Sequence, residues 1–209
     1  MNKNVAAFLR AAEKGNIAGL ESYLAGEDAN INILGDVGET ALIEAVKNNR
    51  ISAVEFLLAQ AANVKIKDGH GLAAIHYAAD RGYFKMVQLL VEQDATIVND
   101  TSVREWTPLH LAARKGHYDS SGDQTAEDEE TDPKGYFKTA QFLITKGANF
   151  NAIAFDENGA EWTPLALTQN QGIKDLINSQ APSSSLSMAN VLGVQQVAGG
   201  RSQSSRGNF

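Results

Sequence analysis

The string E-W-T-P-L occurs twice in this chain, at Glu105–Leu109 and at Glu161–Leu165. A string that recurs within one chain means that one local structure is built more than once, which constrains the fold before any propensity is consulted. Weaker copies come earlier, E-T-A-L-I-E-A-V at Glu39–Val46 and L-A-A-I-H-Y-A-A at Leu72–Ala79. Aligned on Thr40, Ala73, Thr107 and Thr163, the copies are spaced by 33, 34 and 56 residues. In the best copy Thr107 is suited to cap a helix and Pro108 to fill its first turn, where no N–H is needed. Leu109, Ala112 and Ala113 then recur at helical spacing, and Gly116 supplies a stop. Such a helix has about three turns, too few to be stable alone. It must pack against its own copies.

T-P-L-H-x-A at a period near 33 resembles the ankyrin-repeat family, and the likeness runs from about Val5 to Gln180. It implies an all-α fold: an ankyrin-repeat solenoid of about five helix-turn-helix repeats with β-hairpin finger loops, curved with a concave binding face. The spacing of 56 resolves as one period plus 19 residues between the two helices of the fourth repeat and 4 in the loop after it. Repeats are expected at about 4–34, 35–67, 68–100, 101–153 and 154–180, making a domain of 1–180. Phe8, Leu9 and Ala12, then Ile17, Leu20, Tyr23 and Leu24, line the two helices of a terminal capping repeat. Tyr136-Phe137-Lys138 matches Tyr83-Phe84-Lys85, which starts the outer helix of the fourth repeat near Tyr136. In the second repeat Ala41 and Ile43 replace the Pro and His of the pattern, and in the third Ala73 and Ala74 replace Thr and Pro. Both first turns are therefore expected to be less well braced. The segment 181–209, rich in Ser, Gly and Gln, is expected to be a flexible tail, with a brief helix at Met188–Val197 as the alternative.

Charge narrows the function. The net charge is −7, and seven of the 25 acidic residues fall between Asp119 and Asp132, where no basic residue occurs. Removing them leaves 18 acidic against 18 basic, so the repeats are neutral and the acidity belongs to an insertion at about 116–133. Its string D-S-S-G-D-Q-T-A-E-D-E-E puts Asp119, Ser121, Asp123, Glu127 and Glu130 at calcium-loop positions. Gln124 stands where the loop requires glycine, so a solvated acidic loop is the expectation. With no cysteine, thiol catalysis, disulfides and thiolate metal sites fall away. No phosphate-binding or nucleophile-elbow glycine pattern occurs either. No apolar run approaches the roughly 20 residues that span a bilayer, and Val5–Leu9 is too brief for a signal-peptide core. The chain is read as non-catalytic, without cofactor or metal, binding another protein but neither nucleic acid nor membrane, and cytoplasmic and monomeric. A secreted bacterial effector acting in a host cytoplasm, or a regulatory or inhibitory subunit of an enzyme, are the alternatives.

The resemblance also assigns a face. It implies that His76 and His110, three residues past each cap position, bond within the turn rather than act in catalysis. It places Glu39, Leu72, Trp106 and Trp162, each just before the cap position, in one row along the fingers. Aromatic side chains on such a face are the usual energetic anchors of an interface, although packing between neighbouring fingers is an equal alternative. Lys47, Asp80, Arg81, Arg114 and Lys115 join from the inner-helix ends, and His70 and Arg104 from the loops. The groove is expected to be mildly basic, suited to a segment with acidic and apolar residues.

Overall fold

A computed structural model describes residues 3–115 and 135–180. The acidic insertion and the tail lie outside these residues. The described residues hold ten α-helices in five pairs: α1 (Lys3–Lys14) with α2 (Ile17–Leu24), α3 (Ala41–Lys47) with α4 (Ile51–Ala59), α5 (Ala74–Asp80) with α6 (Phe84–Gln93), α7 (Pro108–Lys115) with α8 (Tyr136–Thr145), and α9 (Pro164–Leu167) with α10 (Gln171–Gln180). One compact unit runs to Asn178. The inner helices α1, α3, α5, α7 and α9 touch in succession, and the outer helices α2, α4, α6 and α8 do the same beside them.

The stacking follows from buried residues that recur at the same two positions of α3, α5 and α7. Leu42, Ile75 and Leu109 fill the core two residues past each cap position. Ala45, Ala78 and Ala112 are each fully buried three residues later, and their small side chains let adjacent helices approach. α3 and α5 have only seven residues and α9 four. Helices of this length are held by their neighbours rather than by propensity. Between repeats, asparagines stitch the loops: Asn63 N–H donates to Asn32 Oδ1 at 2.9 Å, and Asn149 N–H to Asn99 Oδ1 at 2.7 Å.

The first turn of α3 keeps one part of the pattern. Thr40 Oγ1 accepts from the N–H of Ile43 at 3.2 Å, so this helix is capped although it lacks Pro and His. Its threonine suffices. At α5, by contrast, Ala73 offers no side-chain cap. The outer helix of the fourth repeat starts at Tyr136, as the Y-F-K match predicts.

The fingers also differ from expectation. Three are tight turns, closed by Gly35 N–H to Glu39 O (2.8 Å), Asp68 N–H to Leu72 O (3.1 Å) and Ser102 N–H to Trp106 O (2.9 Å). The second adds an isolated bridge between Lys67 and Ala73. Among the described residues a true hairpin forms only at the fourth, where β1 (Ala154–Phe155) pairs antiparallel with β2 (Glu161–Trp162). Its turn is closed by Asp156 N–H to Ala160 O at 3.0 Å, the same four-residue span as Ser102 to Trp106, and the pairs Phe155–Glu161 and Ala154–Trp162 are added beneath it, two residues on each side. The four extra residues found in the spacing are therefore a longer finger.

Candidate functional site

Counting from the cap positions Thr40, Ala73, Thr107 and Thr163 puts equivalent residues of each repeat in rows. The residues before the caps are Glu39, Leu72, Trp106 and Trp162, and all four are half-buried. Glu39 turns back into its own finger and accepts from the Val37 N–H at 3.0 Å. Trp106 is held on three sides. Its Nε1–H donates to Phe155 O at 2.9 Å, its edge meets the His110 ring at 5.8 Å, and the Arg114 guanidinium lies 4.9 Å over its face. Trp162 donates through Nε1–H to Asp156 Oδ2 at 3.2 Å. The two indoles do not stack on each other. Each is bound to the long fourth finger, so Glu39, Trp106 and Trp162 are separately fixed rather than parts of a continuous aromatic strip.

The inner-helix ends supply the charged floor. Seven residues past the caps stand Lys47, Asp80 and Arg114, and one further on Asn48, Arg81 and Lys115. Arg114 Nη2 donates to Asp80 Oδ1 at 2.9 Å, joining α7 to α5 across one repeat. Lys47 pairs within its own helix with Glu44 at 2.6 Å. Arg81 reaches back one repeat, and its Nη1 donates to the backbone carbonyl of Lys47. Arg104 pairs with Glu157 of the fourth finger at 3.2 Å, an exposed contact that contributes at most about 1 kcal/mol. His70 is exposed at the tip of the second finger, where its N–H donates to Asp68 Oδ1. The structure thus brings Arg114, Trp106 and Asp80 together, sets Arg81 and Lys115 in one register, and leaves Glu39 and His70 in their own turns. The expected basicity of the floor is reduced, because Lys47 and Arg114 are already paired with carboxylates.

Tyr77 belongs to this face and was not among the expected residues. It stands four residues past Ala73, as Glu44 stands past Thr40, and this register was the available signal. Its hydroxyl donates to Asp68 Oδ2 and its ring lies 5.7 Å from Lys47 Nζ. Burial raises the pKa of the hydroxyl, and the Asp68 carboxylate adds to the rise. Phe155 and Glu157, on the four inserted residues and their flank, were also unmarked by motif.

His76 and His110 are structural braces. His110 Nδ1 accepts from the Thr107 N–H at 3.2 Å and lies 2.8 Å from Thr107 Oγ1. Its Nε2 stands 3.1 Å from both Ala152 O and Trp162 O, so it donates to the next finger. His76 repeats the pattern with Ala73 N–H at 3.2 Å and Asp100 O at 3.1 Å. A ring that accepts at Nδ1 is neutral, and burial lowers the pKa of both. Among the described residues no three His, Asp or Glu gather as a metal site would require. No described helix is long and apolar enough to cross a membrane. The calcium-like string of the insertion lies outside the described residues.

The family model for ankyrin repeats (3 copies) matches residues 8–102 and 62–121, together more than half of the chain. The chain belongs to the ankyrin-repeat family. Similar curated proteins include an ankyrin repeat protein of Acanthamoeba polyphaga mimivirus, 39% identical over 39% of this chain and 21% of its own length. The probable 26S proteasome regulatory subunit p28 of Saccharomyces cerevisiae is 33% identical over 44% of this chain and 40% of its own. Ankyrin repeat and SOCS box protein 3 of Homo sapiens is 31% identical over 47% of this chain and 19% of its own. This ankyrin-repeat chain therefore spans less than half the length of these relatives. Ankyrin repeats are protein-interaction modules, and the rows described above are the surface on which the repeats of this chain differ from one another while their cores agree.

Proposed function

We propose that this chain is a non-catalytic adaptor or scaffold that binds a partner protein along the groove face of its inner helices. The supporting observation is the line Lys47–Tyr77 and Asp80–Arg114–Trp106. It is drawn from three successive repeats, joined by contacts within the line, and left half-exposed or exposed while the core residues beside it are closed. Side chains fixed in place on an open face lose little conformational entropy on binding, and an Arg stacked on a Trp is a common interface anchor. The likeness to a proteasome regulatory subunit favours a second reading, a regulatory subunit of a larger assembly. The layout with repeats over 1–180 and a tail from 181, a cytoplasmic site of action and a monomeric state are part of the same reading.

The test is affinity capture from extract of the source cells with three proteins in parallel: wild type, a groove variant (Tyr77→Ala with Arg114→Glu) and an outer-helix variant (Glu55→Lys with Glu92→Lys). A partner retained by the first and third and lost from the second supports the groove. A partner lost only with the outer-helix changes moves the binding face to α4 and α6.

A further inference from the structure

The groove floor is not charged evenly once its internal pairs are taken away. The acidic side chains toward the ends of α3 and α5 are engaged, Glu44 by Lys47 and Asp80 by Arg114. Asp68, beside them, is buried and accepts from the N–H groups of His70 and Leu72 and from the Tyr77 hydroxyl. At the ends of α5 and α7 two cations remain without a carboxylate among the described residues. Arg81 is exposed and donates only to a backbone carbonyl, which leaves its charge uncompensated. Lys115, half-exposed, closes α7 with no described ion-pair partner. They occupy the same position in successive repeats, eight residues past Ala73 and Thr107. Tyr77, half-buried, stands one turn before Arg81 on α5, and Trp106, half-buried, carries on its face Arg114, the residue before Lys115. Neither neighbouring repeat continues the row with charge, since the equivalents are Asn48, which donates to Glu44, and Gln171, which donates to Asp175.

From this arrangement we propose that the groove selects an acidic protein segment, with carboxylates one repeat apart on Arg81 and Lys115 and an apolar side chain between them against Tyr77 and Trp106. The proposal rests on the groove reading above and specifies its partner. Two cations with no carboxylate partner among the described residues, on a face that also carries Tyr77 and Trp106, suit a short peptide better than a polyanion, because a nucleic acid needs a longer basic track and the chain carries a net charge of −7. Charge complementarity of this kind governs which segments are accepted and how fast they associate.

The experiment uses the full chain and fluorescein-labelled synthetic peptides, read by anisotropy at low and at physiological salt. One peptide alternates Asp or Glu with Leu and Trp. A second has Asn and Gln in place of the acids, a third has Lys, and a single-stranded oligonucleotide of matched charge is the fourth probe. The acidic peptide is expected to bind at least roughly tenfold tighter than the neutral one, and salt is expected to erode the difference. Arg81→Glu with Lys115→Glu is expected to abolish that preference and to favour the Lys peptide instead. Both side chains lie off the core, and a melting curve within a few degrees of wild type verifies folding. Equal binding of acidic and neutral peptides, both weakened by Tyr77→Ala, overturns the charge selection while leaving the groove in place. Acidic binding indifferent to all three substitutions overturns the charge selection and the groove reading together. An oligonucleotide bound as tightly as the acidic peptide overturns the choice of partner.

Discussion

The third and fourth repeats solve one problem with different residues. Both place a histidine three residues past the cap, and both use it to join the helix start to the next finger. In the fourth, Thr107 adds a hydroxyl to the ring contact and Pro108 fills the first turn, whereas the third has Ala73 and Ala74, both buried. The fourth ring lies 3.1 Å from two carbonyls, Ala152 and Trp162, where the third lies 3.1 Å from Asp100 O and has the Trp106 backbone only as a weaker second partner. The imidazole is therefore the common brace, and threonine and proline reinforce it. The backbone shows the opposite economy. Two residues before the cap the chain enters the left-handed region in both repeats, at Gly71 (φ 72°) and at Glu105 (φ 60°). Only the third supplies glycine there. Each repeat is locally better made at one of these two positions and worse at the other.

The largest expected effect comes from removing the braces. His110→Ala leaves the Thr107 N–H and two carbonyls without a partner and opens space in the core, for a loss of about 3 kcal/mol or more in urea denaturation. His76→Ala strands one N–H and one carbonyl and is expected to cost about 2 kcal/mol. A larger loss at His76 breaks the comparison.

The residues before the caps come next. Trp106 has a hydrogen bond, a ring contact and a guanidinium on its face, so Trp106→Ala is expected to cost roughly 2 kcal/mol of stability as well as binding. Leu72→Ala, its counterpart one repeat earlier, is expected to cost about 1 kcal/mol. If Trp106→Ala abolishes partner capture with an unchanged melting temperature, the indole acts at the interface and its packing contributes little.

Acid should act on both repeats through the same rings. The pKa of His76 and of His110 is lowered by burial from 6.5, so the unfolded chain binds more protons as pH falls below that value. Stability is then full above about pH 6.5 and declines as pH drops toward the folded values. Asp94, held at about 2 by Lys65 and then by Thr96, and Asp156, lowered chiefly by the Ala160 N–H, act in the same direction only below 3.8. Melting temperature followed between pH 7 and about pH 4.5 thus isolates the histidines. A flat curve across this range means that the rings stay neutral in the unfolded chain or charged in the folded one.

The finer exchange between repeats should be reciprocal. Ala73→Thr supplies the missing cap and is expected to stabilise by about 1 kcal/mol. Glu105→Gly relieves the left-handed residue and is expected to contribute a similar amount. Both are read as shifts in denaturation midpoint. Loss of stability at Ala73→Thr means that the buried site cannot admit the extra atoms.

What the sequence made legible here was whatever repeats at fixed spacing. The cap at Thr107, the start of α8 at Tyr136 and the four residues added to the last finger all follow from comparing the chain with itself. The form of that finger did not, because it depends on a partner 51 residues away: the Phe155 N–H donates to Arg104 O. The Asp80–Arg114 pair is one period long and joins two helices that touch only after stacking. The free charge of the groove floor was overcounted for the same reason. Lys47 and Arg114 count as cations in a sequence, but in the fold both are already matched. Tyr77 escaped notice because its column also holds Glu44 and Leu111, which share a position and no chemistry.

The smallest effect should come from the largest difference between the two repeats. The third joins its helices through Arg81–Gly82–Tyr83, and the fourth makes the same connection between Lys115 and Tyr136 with 19 additional residues. Removing 116–134 would join Lys115 directly to Gly135 and restore the shorter spacing. The joint is prepared for it. Gly135 has φ 67° against 66° at Gly82, and the two turns lie so close that a Cβ on Gly135 would meet Gly82 O at 2.8 Å. The Tyr136 hydroxyl donates to Asp80 O at 3.2 Å, so the start of α8 is already fixed to the third repeat. Closure entropy changes slowly with loop length, by about 0.6 kcal/mol per doubling, so the shortened chain should be equally stable or slightly more so. Groove binding should survive, since Arg81, Arg114 and Lys115 are all retained. A drop of several degrees in melting temperature would mean that residues within 116–134 make contacts that stabilise the repeats. Loss of binding at unchanged melting temperature would instead put part of the recognition surface in the insertion itself.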